Sequence, residues 1–338
     1  MKIFLKYLLL FIGASLWVVG CVPTFRKTAF EWGFTQDSYR YGDLYRLSNL
    51  PQFKELQTPC TTAPTLKATS INTALYIIGD SFTEKQRIGK NDFNVDSYTR
   101  IHWNEFETVQ LNPAKRNILI LETVERHFRE HFAKDVKNFT IGTQKVVPNA
   151  FSFKNWLTEN YKAFEGMLKE SEEALTSFLF SGNLFLQLKE WKAQINFQWF
   201  GQHSDQISFS PDGKQILFVW DTDSTRITSS FKNLPAKELE SLIRQVNRTR
   251  DYYKSKGFDE VFLSIIPNKT SILAPEMGVY NHLVERVQTA PLLLAPYIDV
   301  WTPYNQQANA VYSLSDTHWS CKGRSIWLEK VNGALSIR

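Results

Sequence analysis

Cysteine and methionine are scarce, three of each in 338 residues, and no CxxC, HExxH or similar metal-ligand spacing occurs. That sets aside a zinc-bound fold, a metalloprotease and a thiol-redox motif. His127 and His131 stand four apart but lack a supporting ligand cluster. No block of like charges is present, which removes a polybasic or polyacidic tail. There is no internal repeat or low-complexity tract either, so a solenoid is excluded. The formal charge is +5, and two of those charges are Lys2 and Lys6, so the chain beyond them carries +3. This is too slight to recruit nucleic acid, and no cofactor is expected.

Hydrophobic residues make up 43% of the chain, ample for a core, and 10 Trp, 13 Tyr and 25 Phe are a heavy aromatic load. Most of those rings belong in a core, with some left to stack on sugars. Residues 1–22 read as a signal peptide or membrane anchor: Lys2 and Lys6 flank the apolar stretch from Tyr7 to Val22. A comfortable span needs roughly 20 apolar residues. Val18-Val19-Gly20-Cys21 resembles a bacterial lipobox, which would make Cys21 a lipidation site. The rival is an uncleaved anchor with its lysines held inside. Both readings put the remaining chain in the cell envelope, facing the periplasm. Cys60 and Cys321 are then an even pair in an oxidising compartment. Nothing in the sequence fixes their separation, and the reading is two unpaired buried thiols, with a disulfide as the alternative.

Residues 23–70 read as a stalk or irregular arm, and 71–338 as one domain with an insertion at about 151–231. Ala74–Ile78 and Asn117–Leu121 are apolar runs suited to strands, the second followed by a helix from Glu122 to about Ala133. Arg87–Leu111 reads as loop with an edge strand. Within the insertion, Trp156–Lys169 and Leu184–Ile195 have helical spacing, and Gln206–Phe209 and Gln215–Trp220 flank a Ser-Pro-Asp-Gly turn. Ala236–Lys254 places Leu239, Leu242, Ile243, Val246 and Tyr253 on one helical face, with Gly257 past its end. Val261–Ile266 suits a strand buried on both faces. Ile298–Val300 suggests a short further strand, and Lys322–Val331 a closing helix. This alternation predicts an α/β fold with a doubly wound, mostly parallel sheet.

In such sheets, ligands sit beyond the carboxyl ends of the strands. Gly79-Asp80-Ser81-Phe82-Thr83 follows the first strand, and Ser315-Asp316-Thr317-His318-Trp319 precedes the last helix. A serine hydroxyl needs an imidazole to take its proton, and the imidazole needs a carboxylate to fix its tautomer. Ser81, His318 and Asp316 supply those three groups, and the Ser81 N–H supplies one oxyanion donor. Bland alternatives stand beside this. Asp80 or Ser81 can cap a helix, as can Asp316. Glu122 and Arg126, four apart, read as a helical ion pair before a substrate clamp. Trp319 reads as packing before a sugar platform.

The GDSFT segment with a late Asp and His resembles the SGNH hydrolase superfamily. The single residue between Asp316 and His318, followed by Trp319, is similar to its alginate O-acetyltransferase (AlgJ/AlgX-like) branch. The resemblance covers about 74–133 and 236–335 and implies a flavodoxin-like α/β/α sandwich. It also implies Ser81 as nucleophile, His318 as base and Asp316 as orienter. The implied partners are a polysaccharide acceptor and a polytopic membrane acyltransferase supplying acetyl groups. The superfamily's Gly-x-Asn-Asp block is missing, and Asn268 or Asn104 is the substitute oxyanion donor. The expectation is an envelope O-acetyltransferase. A periplasmic carbohydrate esterase with the same residues, or a non-catalytic polysaccharide-binding or assembly subunit, is the alternative.

Overall fold

All seven residues from Thr73 to Gly79 are buried, which a strand achieves only when both faces are covered. A computed structural model of the chain describes residues 2–21, 23–37, 39–60, 72–142, 175, 179–180 and 182–336. Among them the strands are β1 (Thr73–Gly79), β2 (Ser97–His102), β3 (Glu107–Val109), β4 (Arg116–Val124), β5 (Phe139–Ile141), β6 (Ile207–Phe209), β7 (Ile216–Phe218) and β8 (Glu260–Ile266). A four-stranded parallel sheet runs β2-β1-β4-β8. In it Ile78 lies level with Ile101 on β2 and Leu121 on β4. From β1 the chain steps outward to β2, then returns to the other side of β1 for β4 and β8. The order therefore reverses between β1 and β4, where doubly wound sheets open a crevice.

Side chains alternate along these strands with period two, and two cores result. Tyr76, Ile78, Leu119, Leu121, Leu263 and Ile265 face one core, closed by the helices Glu125–His131, Ala236–Ser255 and Leu283–Gln288. Leu75, Ile77, Ile118, Ile120, Phe262 and Ile266 face the other, closed by helices including Cys321–Ser336. Trp327 is fully buried there, and its indole N–H donates to Ser264 Oγ at 2.9 Å. The five predicted residues of Ala236–Ser255 are all buried. Gly257 ends that helix at φ +105°, a conformation that favours glycine. The result is a mixed α/β body with a parallel sheet flanked by helices on both faces, compatible with a three-layer sandwich.

Several elements differ from expectation. β4 continues through Glu122 to Val124, because Glu122, Thr123 and Val124 pair with Ser264, Ile265 and Ile266 of β8. The following helix starts only at Glu125. Ile298–Val300 is not a strand. One parallel bridge joins Leu263 to Tyr297, and Asp299 then accepts the Thr302 N–H at 3.0 Å, starting the helix Trp301–Gln306. The hairpin forms as β6 and β7, but Trp220 belongs to the short helix Val219–Thr222. The arm carries helices at Pro23–Glu31 and Asp43–Ser48. The expected helix at Trp156–Lys169 lies outside the described residues.

The chain divides into two compact units, Met1–Gln57 with Lys145–His203, and Thr58–Gln144 with Ser204–Arg338. The β6–β7 hairpin thus groups with the sheet and not with the helix Asn183–Phe200. Within the larger unit, Cys60 and Cys321 form a disulfide, which corrects the expectation of two thiols. It joins the approach to β1 to the first residue of the closing helix, across 261 residues of chain. Closing so long a loop restricts the unfolded chain, an effect worth about 2–4 kcal/mol. Cys321→Ser is therefore expected to lower the denaturant midpoint. Reductant should bring the wild type to the same midpoint and leave the variant unmoved; identical midpoints throughout would show that the bond contributes nothing.

Candidate active site

After Gly79 the chain turns through Asp80 into a single 3-10 turn, Ser81–Thr83. Contacts from both neighbouring strands fix that corner. Glu122 Oε2, on β4, accepts the Asp80 N–H at 2.7 Å and the Thr83 hydroxyl at 2.9 Å. Arg100 Nη2, on β2, donates to the carbonyls of Gly79 and Asp80 at 2.9 and 2.6 Å. The C=O and N–H of one trans peptide point opposite ways. With the Asp80 carbonyl turned to Arg100, the Ser81 N–H faces away, and among the described residues it has no acceptor. Gly79 permits this packing. A Cβ there would stand 2.1 Å from Thr83 Oγ1 and 2.7 Å from Glu122 Oε2.

The other half arrives on a loop closed by a bridge between Tyr312 and Trp319. Lys269, buried in the helix Lys269–Leu273 just after β8, donates through Nζ to the carbonyls of Ser313 and Leu314, each at 2.8 Å, and of Asp316 at 3.4 Å. Asp316 Oδ1 accepts the His318 N–H at 2.8 Å and lies 2.5 Å from His318 Nδ1. His318 Nε2 lies 2.8 Å from Ser81 Oγ. An ionised carboxylate only accepts, so the ring proton belongs on Nδ1 and Nε2 accepts the serine hydroxyl. Burial pushes the Asp316 carboxyl up. The hydrogen bond and charge of His318, with Arg87 nearby, outweigh that and hold it below the usual carboxylate range. Phe82 backs the imidazole at 4.7 Å between centroids, and Trp319 meets Phe82 edge-on at 5.0 Å.

Ser81, Asp316 and His318 are thus brought together. Neither capping alternative is realised by a side chain: Asp80 stands at the N-cap position of the turn, but its carboxylate accepts the Val124 N–H at 2.8 Å, and Ser320, not Asp316, receives the first N–H groups of the closing helix. The remaining candidates separate. Asn104 lines a cleft of about 430 Å³ beside Ser81, together with His102, Phe106, His127 and Lys134. Asn268 is fully buried, and its amide is used by the Arg126 N–H at 3.1 Å and the Ser230 hydroxyl at 2.9 Å. Arg126 is buried beside Asp221, 3.4 Å away, and makes no pair with Glu122. Trp319 is core. Cys21 ends the helix Lys2–Cys21, whose segment Ile3–Gly20 is long and apolar enough to cross a membrane. Sequence reasoning missed Arg100, and it missed the role of Lys269, whose place just after a strand end was the only signal.

No family model matches this chain, and no curated protein or solved structure matches it.

Burial and the nearby Asp80 carboxyl push Glu122 up to about 8, which favours its protonated form at neutral pH. Among the described residues its Oε1 has no hydrogen-bond partner, which a full buried charge would require. An acid with a raised folded-state pKa holds a proton that the unfolded chain releases. Its contribution is therefore lost as pH rises from about 4.5 toward 8. The slope for one such proton is at most about 1.4 kcal/mol per pH unit. Glu122→Gln, which keeps a neutral acceptor, should flatten the decline in stability over that window in denaturant titrations. An unchanged pH slope would show that Glu122 is ionised in the folded protein.

Proposed function

We propose that this protein is an envelope-anchored serine acyltransferase of the SGNH hydrolase type, which moves an acetyl group onto a polysaccharide hydroxyl through an acyl-Ser81 intermediate. One observation carries the reading: Ser81 Oγ, His318 and Asp316 form a continuous hydrogen-bonded relay, 2.8 Å and then 2.5 Å. The β2-β1-β4-β8 order, with Ser81 at the carboxyl end of β1, matches the first four places of the flavodoxin-like order 2-1-3-4-5 and supports that part of the reading. The apolar Lys2–Cys21 helix and the Cys60–Cys321 disulfide support an exported, periplasm-facing body.

In this mechanism Ser81 Oγ attacks the carbonyl carbon of an acetyl donor while His318 Nε2 takes its proton, help worth about 10²–10⁴-fold. Asp316 stays ionised and stabilises the imidazolium. The oxyanion is received by the outward Ser81 N–H, with the Asn104 amide from the cleft as second donor. Collapse expels the leaving group, which takes the proton from His318, and leaves acetyl-Ser81. A sugar hydroxyl in the cleft then attacks, His318 removes its proton, and Ser81 regains it as the sugar ester departs. A polytopic membrane partner supplies the acetyl group, since cytoplasmic acetyl-CoA does not reach this compartment.

Full-length wild type given an activated acetyl ester should show an acetyl mass shift on the Ser81 peptide and release acetate. Ser81→Ala and His318→Ala are expected to reduce turnover by at least about 10³-fold. Asp316→Asn should cost about 10⁴-fold. Turnover equal to wild type in the Ser81 or His318 variant would remove the mechanism. Oligosaccharide acceptors should divert acetyl from acetate to sugar ester; if none competes with water, the same residues serve an esterase.

A further inference from the structure

The helix Asn183–Phe200 turns its apolar side outward. Leu184, Leu188, Trp191, Ile195 and Trp199 follow one another at steps of four, three, four and four, which places them on one stripe of an α-helix. They are 67, 48, 62, 50 and 78% exposed. The opposite side, with Leu186, Glu190, Ala193 and Phe197, is half-buried. Glu190 anchors that side by accepting from the Tyr45 hydroxyl and, at 2.7 Å, from Lys54 Nζ. A helix packed on a soluble body shows the reverse pattern. In the larger unit, exposed large apolar side chains such as Phe106, Val279 and Leu294 stand scattered along the sequence.

We infer that this helix lies in the head-group region of a lipid bilayer, as a second membrane contact beside the N-terminal apolar helix. Three features favour lipid over a protein partner. The same compact unit contains the Ile3–Gly20 segment, apolar enough to span. Trp32 and Phe34, which follow that segment in the unit, are 72 and 78% exposed, and aromatic rings of this kind favour the membrane–water boundary. Lys192 borders the stripe, where a long cationic side chain reaches phosphate groups while its stem lies on apolar surface. At 18 residues the helix is about 27 Å long and covers several lipid head groups. The inference is independent of the chemistry at Ser81.

The test uses the full-length protein reconstituted in phosphatidylcholine/phosphatidylglycerol vesicles containing lipid brominated high on the acyl chain. Trp17→Phe, Trp32→Phe and Trp156→Phe in the background remove the other tryptophans of this unit. Bromolipid should quench the remaining fluorescence, and adding Trp191→Phe and Trp199→Phe should abolish most of that quenching. Leu188→Asp with Ile195→Asp should abolish it too, with far-UV circular dichroism and melting temperature unchanged. Quenching that survives loss of Trp191 and Trp199 overturns the inference. So does quenching of these two rings by aqueous iodide alone, which would mean a wet face. Protection from both quenchers, or a lowered melting temperature in the aspartate variant, would mean that protein covers the stripe, and overturns it as well.

Discussion

Glu122 Oε2 takes the Asp80 N–H and the Thr83 hydroxyl at the point where β1 ceases to be a strand. Ser81 lies between those two donors in sequence, so its position is set by a side chain of the neighbouring strand. The interaction depends on several others. It requires β1 and β4 in their observed register, since one residue of slip would turn Glu122 to the opposite face. It requires Gly79, because any Cβ would occupy the space of the carboxyl. Arg100 holds the adjacent carbonyls from the other side. The corner is thus held by two strands, and the serine hydroxyl is the part of it left facing the imidazole.

The second half of the site is delivered differently. Ser81 and His318 are 237 residues apart, and a parallel sheet brings both to its carboxyl edge. That places the loop near the serine but does not fix its backbone. Lys269 does, because an ammonium withdrawn from water must be satisfied by several acceptors, and here carbonyls of the loop itself provide them. Burial of the cation is therefore tied to one shape of residues 313–316. The Phe82–Trp319–Trp327 aromatic contacts then carry that shape into the core, so the orientation of His318 is coupled to packing beneath it.

Much of this was legible in the sequence. The apolar runs of β1 and β8 and the amphipathic Ala236–Ser255 helix are strong periodic signals, and the serine, aspartate and histidine stood in loops that such a sheet gathers. The losses have physical causes. The extent of β4 was hidden because Glu122 is polar yet fully buried, so a carboxyl turned into the protein was taken for the start of a helix. Asn268 and Arg126 had the chemistry of a substrate site, but each found a buried partner that no local pattern names. The role of Lys269 was invisible for the same reason. The disulfide depends on a tertiary distance across 261 residues, which spacing along the chain does not encode.

Three buried carboxyls surround Ser81: burial shifts Asp80 and Glu122 up, whereas at Asp316 burial is outweighed by His318 and Arg87. Both Glu122 and Asp316 accept two hydrogen bonds at one oxygen. Asp316 takes one of its two from the imidazole, a group that becomes cationic when it accepts a proton, and Arg87 adds favourable charge. Glu122 is fully buried and takes its two from a backbone amide and a neutral hydroxyl; Asp80 adds repulsion that Arg100 only partly offsets, and among the described residues its other oxygen has no donor. The first setting rewards ionisation and the second penalises it. In the proposed mechanism, a carboxyl that stays neutral adds no charge beneath Ser81 to repel a developing oxyanion. A carboxyl that stays charged can answer the positive charge on His318. In the acyl-transfer mechanism proposed above, interchanging the two states would add negative charge beneath the serine corner and leave the imidazolium unsupported.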